Sequence, residues 1–192
     1  MRIKICGITR PEDARFAEEM GADAIGVVVL SGGVSKRVVG LDRAREIFDA
    51  AGPFITTVAV SHTRSEDDLR KILALHTDAV QLSYPFRFTS DPGAAVIRVI
   101  GRGDPLPEDC DAVIVDDSHG RGREFDRSYA REAVLRSKVP VILAGGLSPG
   151  NVGEAIRQVR PYAVDVATGV EVSPGIKDDG KVRAFIDAAR SA

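Results

Sequence analysis

Residues 141–159, VILAGGLSPGNVGEAIRQV, contain a complete strand–turn–helix unit. Val141 to Leu143 is a short apolar run, and Gly145 and Gly146 interrupt it. Ser148-Pro149 then offers a capping hydroxyl ahead of a proline, whose missing N–H costs nothing in a first helical turn. Val152, Ala155, Ile156 and Val159 follow at i, i+3, i+4 and i+7, which places one apolar stripe on a helix. The fold depends on how often the chain repeats this unit.

It repeats along the whole chain. Comparable runs are Ile3 to Cys6, Ala24 to Leu30, Ile55 to Val60, Ala79 to Leu82, Val96 to Ile100, Ala112 to Val115 and Ala163 to Ala167, which with Val141 to Leu143 makes eight. They are too continuously apolar to have one wet face, as expected of a parallel sheet covered by helices. Thr9-x-x-Glu12 has the form of a capping box, and Ser65 before Glu66, Asp67 and Asp68 is another helix start. Val182, Phe185, Ile186 and Ala189 repeat the helical stripe.

Asp23-Ala24-Ile25, Asp78-Ala79-Val80, Asp111-Ala112-Val113 and Tyr162-Ala163-Val164 introduce the second, fourth, sixth and eighth runs. A small residue entering every even strand fits a barrel whose interior layers are filled by alternate strands. The expectation is α/β: a (β/α)8 TIM barrel in one domain over residues 1–192, compact beside the usual length of about 250 residues. SYPFRFTSDPGAA after Leu82 and GRGDPLPEDCD after Ile100 carry prolines and no apolar stripe, so helices four and five are expected to be shortened or replaced by loops. A doubly wound open sheet is the alternative, commonly with fewer strands.

Composition narrows the function classes. With 44% hydrophobic and 28% charged residues and a net charge of -2, the chain has no broad attraction for nucleic acid or an anionic membrane. Cys6 and Cys110 are its two cysteines, too few for a disulfide framework or a four-ligand zinc site. No apolar run approaches the roughly 20 residues of a membrane span. No signal peptide is read ahead of KICGIT, and a cytoplasmic protein with reduced thiols is expected.

In such barrels the active site lies on loops after the C-terminal ends of the strands. Cys6, Lys36 and Arg37, Ser61 and His62, Gln81 and Ser83, Asp116 and Asp117, Gly145-Gly146 and Thr168-Gly169 all stand there. The two glycine loops follow strands seven and eight, where barrels hold phosphate on backbone amides at helix N-termini. Cys6 is either a small buried hydrophobe or an exposed, partly ionised base. Asp116 is either a structural cap or an acid, since a carboxyl ending the run AVIV is costly to bury unless paired or used.

Taken in order, KICGIT, PEDA, GADAIGVV, SKR, AVQL, the aspartate-ended sixth strand, FD, LAGGLSPGNV and AVDVATGVEVSPGIKD resemble phosphoribosylanthranilate isomerase over nearly the whole chain. The resemblance implies a step of tryptophan biosynthesis. In it, N-(5-phosphoribosyl)anthranilate becomes 1-(2-carboxyphenylamino)-1-deoxyribulose 5-phosphate by an acid/base-catalysed Amadori rearrangement, without cofactor or metal. It makes Cys6 the general base and Asp116 the general acid, with Asp117 an adjacent rival pointing the other way if the strand persists. Arg37 would meet the anthranilate carboxylate through its two-pronged fork, and Gly145, Gly146, Thr168 and Gly169 would hold the phosphate. The partner implied is a small phosphorylated molecule, with the protein a monomer or homodimer. A related phosphorylated-aminosugar isomerase and a non-catalytic sugar-phosphate binder are the alternatives.

The chain departs from the family pattern where VQLHG is usual: it reads VQLSYP, with Ser83 in place of the histidine. The segment DSHGRGREFD is a loosened form of the family's glycine-rich lid. His62 is a better candidate than His119 for the missing histidine. His76 is expected to be structural and Cys110 inert.

Overall fold

The computed structural model describes residues 1–33, 35–116 and 125–192. In chain order they form β1 (Arg2–Cys6), α1 (Pro11–Glu19), β2 (Ala24–Val29), β3 (Val38–Val39), α2 (Leu41–Asp49), β4 (Thr56–Ser61), α3 (Glu66–Leu73), β5 (Ala79–Leu82) and β6 (Ala95–Ile100). Then come β7 (Ala112–Val115), α4 (Arg127–Arg136), β8 (Val141–Leu143), α5 (Val152–Val159), β9 (Ala163–Val166), β10 (Glu171–Ser173), β11 (Ile176–Lys177) and α6 (Asp179–Arg190). The strands β1, β2, β4, β5, β6, β7, β8 and β9 pair in parallel in that order, and β9 returns to β1. The ring is closed. β3 adds to β2 outside it, through Val28 against Val38.

Closure makes the two faces of every strand different. Ile3 and Ile5 face outward into the large core shared with the helices, where Ile156, Val159, Phe185 and Ile186 meet them. Alternate residues face inward, and Cys6, Val28, Val58, Val60, Ile97, Ile114 and Ile142 form a second, interior cluster. Ala24, Ala79, Ala112 and Ala163 all belong to that interior cluster or pack against it. The small residue entering each even strand thus lines the ring's N-terminal end, where a cavity of about 450 Å³ remains.

The aspartates ahead of three of those alanines have their own role. Asp23 accepts the amide of Ile3 at 2.8 Å, Asp78 that of Thr57 at 2.7 Å, and Asp111 that of Val96 at 2.7 Å. Each carboxylate satisfies an amide at the entry of the strand before it in the ring, a backbone donor at the ladder's end. Tyr162 replaces the fourth aspartate and instead lies under the Arg2 guanidinium, 4.3 Å from its ring centroid.

Helix starts agree with expectation only in part. Ser65 caps α3, accepting from the Asp68 amide at 3.3 Å. Thr9 does not cap α1, whose N-cap is Arg10; its hydroxyl donates to the Gly175 carbonyl at 2.5 Å. Ser148 does not cap α5 either. Its carbonyl accepts from Asn151 and Val152 in a turn, and the helix proper begins at Val152.

No helix occurs between β5 and β6 or between β6 and β7. Phe86, 1% exposed, plugs the first gap. The outward side chain of Arg98 on β6 stitches both segments to the sheet: its guanidinium donates to the Tyr84 carbonyl at 3.0 Å, to the Phe86 carbonyl, and reaches Asp109 at 3.5 Å. Replacing it by methionine leaves those carbonyls without their charged donor, at a cost of about 2–3 kcal/mol. Arg98→Met should therefore lower the melting temperature by several degrees; an unchanged melt would show that the loops cover the sheet without it.

Candidate active site

The C-terminal rim of the ring surrounds a cavity of about 350 Å³. Cys6 closes β1 and shares inward parity with Lys4, so its sulfur lines that cavity although the residue is only 7% exposed. Asp116 follows β7 with the parity of Ala112 and Ile114, and lines the same cavity from three strands further round. Thiol and carboxyl thus face one space from separate parts of the rim. Gly7 has φ 73, and the side chain of Arg37 crosses where a β-carbon there would sit.

Beneath the thiol lies a polar layer. Lys4 is buried and donates to Asp165 at 2.9 Å and to the Gln81 amide oxygen at 3.0 Å. Burial works against its ammonium, but Asp165 and then Cys6 outweigh that and hold Lys4 above its ordinary pKa. Burial lifts Asp165 against the opposing charge of Lys4, so the partners pull in opposite senses. The short contact, with a neutral oxygen accepting from the same ammonium, is the arrangement of an ionised pair. Burial, and next the Asp165 carboxylate, push the Cys6 thiol up, while Lys4 and Lys177 oppose them. A thiolate formed here is a stronger base than an ordinary one, and a rarer one.

A second set of charges forms the cavity wall. Arg37 donates through Nε and one terminal nitrogen to both oxygens of Glu171, each at 2.7 Å, and to the Thr168 hydroxyl at 3.0 Å. The fork expected to face a ligand carboxylate is therefore occupied by Glu171. Lys177 donates to Glu171 at 2.9 Å and to the Cys6 carbonyl at 2.6 Å, tying the β10–β11 hairpin to the end of β1. Against the cost of burial, Arg37 and Lys177 hold the Glu171 carboxyl below its ordinary pKa. Burial pulls Lys177 down, with Glu171 opposing.

Adjoining the cavity is a niche of about 50 Å³ lined by Gly145, Gly146, Leu147, Thr168 and Gly169, with Asp116 and Asp165 on its border. Gly145 and Gly146 adopt φ 91 and 65, left-handed values that suit glycine. Their amides donate to no acceptor among the described residues. A β-carbon on Gly169 would overlap the Leu147 carbonyl, so its absence lets the two loops pack together. Bare amides in a pocket sized for a small anion are the chemistry of phosphate binding.

The sequence-expected residues Cys6, Arg37, Asp116 and Thr168 thus meet at one cavity, and Gly145, Gly146 and Gly169 at the niche beside it. His62 lines the cavity too, its Nδ1 2.6 Å from the Ser83 hydroxyl, so it approaches the position where the family pattern has a histidine. Asp117 and His119 lie outside the described residues. His76 is exposed in the turn before β5, and Cys110 is away from the cavity. Asp165 and Lys177 were not singled out from sequence. Asp165 had left a signal, a carboxylate inside the apolar run AVDVA. Among the described residues no His, Cys, Asp and Glu side chains gather as a metal site.

A family model described as N-(5'-phosphoribosyl)anthranilate (PRA) isomerase matches residues 106–188. The chain is 63% identical over 192 residues to the N-(5'-phosphoribosyl)anthranilate isomerase of Methanoregula boonei, covering all of this chain and 98% of that one. The crystal structure of phosphoribosylanthranilate isomerase from Thermus thermophilus superimposes with a TM-score of 0.85 at 33% identity, covering 100% and 99% of the two chains. Another phosphoribosylanthranilate isomerase, solved with reduced 1-(o-carboxyphenylamino)-1-deoxyribulose 5-phosphate, superimposes at 0.82 and 32% identity over the full length of both.

The Glu171 cluster gives stability a defined pH dependence. Its folded-state pKa is below the unfolded value near 4.5, so its contribution is present above that pH and lost as pH falls through the folded pKa. Glu171→Gln should be less stable than the parent at pH 7, and the difference in melting temperature should shrink steadily towards pH 3. A difference independent of pH would mean that the carboxylate's charge carries none of it.

Proposed function

The chain belongs to the N-(5'-phosphoribosyl)anthranilate isomerase family, and from that premise we propose that it isomerises N-(5-phosphoribosyl)anthranilate with Cys6 as base and Asp116 as acid. The observation that carries this assignment is the placement of the two groups on one cavity, continuous with a niche of unclaimed backbone amides. An Amadori rearrangement needs one acid and one base on different sides of a sugar, with the phosphate anchored beyond them. This rim offers that set.

In the proposed mechanism the substrate's phosphate lies on the amides of Gly145 and Gly146 and on the loop of Thr168 and Gly169. Asp116 protonates the furanose ring oxygen; the C1–O bond breaks and the anthranilate nitrogen supplies the electrons, leaving an iminium at C1. That cation acidifies the proton on C2. The thiolate of Cys6 removes it, and the C2–H electrons form the C1=C2 bond as the iminium electrons return to nitrogen. The resulting enolamine gains a proton at C1 and loses one from the C2 hydroxyl to give the ketone 1-(2-carboxyphenylamino)-1-deoxyribulose 5-phosphate. Redox is internal to the sugar: C1 is reduced as C2 is oxidised.

Arg37 lines the cavity wall beside Glu171 and Thr168, while Gly145 and Gly146 line the adjoining niche. With two of its nitrogens engaged by Glu171, it offers the anthranilate carboxylate its remaining terminal N–H groups rather than the whole fork. Holding phosphate and carboxylate at separate points fixes C2 between sulfur and carboxyl, where orientation alone lowers the barrier. The same proposal has one domain over residues 1–192, acting in the cytoplasm on this small phosphorylated molecule as a monomer or homodimer.

General acid and general base catalysis each contribute about 10²–10⁴-fold. Cys6→Ala and Asp116→Asn should each lose turnover by that factor while retaining affinity for the reduced product analogue. Neither variant should rescue growth of a tryptophan auxotroph lacking the isomerase, whereas the parent chain should. A Cys6→Ala enzyme at near-parental rate would remove the thiol from the mechanism.

A further inference from the structure

We propose that Lys4 is a positioning residue: pinned by Asp165 and Gln81, it faces the sulfur of Cys6 at the cavity wall and favours the thiolate over what burial alone would allow. The inference deepens the assignment of Cys6 as base and rests on it. A buried ammonium that merely filled the barrel would need only its counter-ion. Lys4 has a third neighbour. Its head and the Cys6 sulfur crowd the same point above Gly26, where a β-carbon would lie 3.0 Å from Nζ and 2.8 Å from Sγ. Glycine in the middle of β2 is what leaves both heads room, and at that separation the ammonium's charge favours a thiolate.

The geometry also says why Asp165 and Gln81 are needed. Lys4 and Asp165 are direct partners in the β1–β9 register, so the carboxylate reaches the ammonium from the neighbouring strand. Gln81 reaches it from β5, across the ring. Held from two sides, the ammonium cannot swing away to solvent and keeps one face for the sulfur.

Other charges near the thiol come from every side. Lys177 on β11 binds the Cys6 carbonyl and helps the thiolate, as does the Arg37 guanidinium ahead of β3. Asp165 on β9 opposes it. Asp116, after β7, and His62, after β4, share the cavity. Lys4 differs from the other cations in sharing with the sulfur the space over Gly26, inside the ring, whereas Lys177 and Arg37 are engaged by Glu171 in the cavity wall.

The test is the pH dependence of Cys6 alkylation by iodoacetamide, in a Cys110→Ser background so that one thiol is read. Lys4→Met should raise the midpoint by about one pH unit or more, a tenfold loss of thiolate at fixed pH. Asp165→Asn should move it down, because the opposing carboxylate is gone and the ammonium turns to the sulfur. In turnover, the kcat/KM of Lys4→Met should be about tenfold low at pH 7 and approach the parent at alkaline pH, with KM little changed.

If Lys4→Met does not fold, the double variant Lys4→Met/Asp165→Asn removes both charges together and should still titrate above Asp165→Asn alone. Unmoved midpoints, shifts of the same sign in Lys4→Met and Asp165→Asn, or a rate loss equal at every pH would overturn the proposal. Alkylation reads the sulfur whether or not it is the catalytic base. Failure of the Lys4 inference is thus separable from failure of the Cys6 assignment, which the turnover of Cys6→Ala decides.

Discussion

The ammonium of Lys4 lies inside a ring of β-strands, and its need for a partner there sets the geometry above it. An ion taken into such an interior costs several kcal/mol unless its donors are matched, and removing one partner of a buried pair typically costs about 3–5 kcal/mol. Asp165 and Gln81 match them, from β9 and β5. β9 is the direct neighbour of β1, but β5 faces it only because the sheet is closed, so the full set of partners depends on the ring. Cys6 sits two residues beyond Lys4, on the same face, and its sulfur inherits that fixed surrounding.

The second constraint is the hub around Glu171. Arg37, Lys177 and the Gly175 amide all donate to this one carboxylate, at 2.7 to 3.1 Å. It ties the segment before β3 to the β10–β11 hairpin, while Lys177 fastens that hairpin to the carbonyl of Cys6. The Thr9 hydroxyl adds another tie, to Gly175. The wall of the cavity is therefore assembled from distant parts of the chain, and the niche glycines complete it by letting backbone approach where side chains would intrude.

The barrel was legible in the sequence because buried parallel strands are apolar on both faces, and all eight runs became strands of the ring within a residue or so of their expected ends. The missing fourth and fifth helices were legible too, since prolines without an apolar stripe cannot make a packed helix. What Arg98 does in their place was not, because its carbonyl partners are twelve and fourteen residues away. Helix caps divided by range. Ser65 had no competitor, whereas the Thr9 hydroxyl was claimed by a carbonyl 166 residues further on, and no local window contains that acceptor. The strand-end residues of the site were readable from barrel geometry, but the occupation of Arg37 by Glu171 was not, because it joins loops from opposite ends of the chain.

The most direct measurement is a crystal structure of this protein with the reduced product analogue bound. The account predicts the phosphate on the amides of Gly145, Gly146 and Gly169, the anthranilate carboxylate towards Arg37, and sugar C2 about 3–3.5 Å from the Cys6 sulfur, a distance suited to proton transfer, with Asp116 on the other side of the sugar. A phosphate seated away from those glycines, or a sulfur turned from C2 and hidden against the barrel floor, would contradict it.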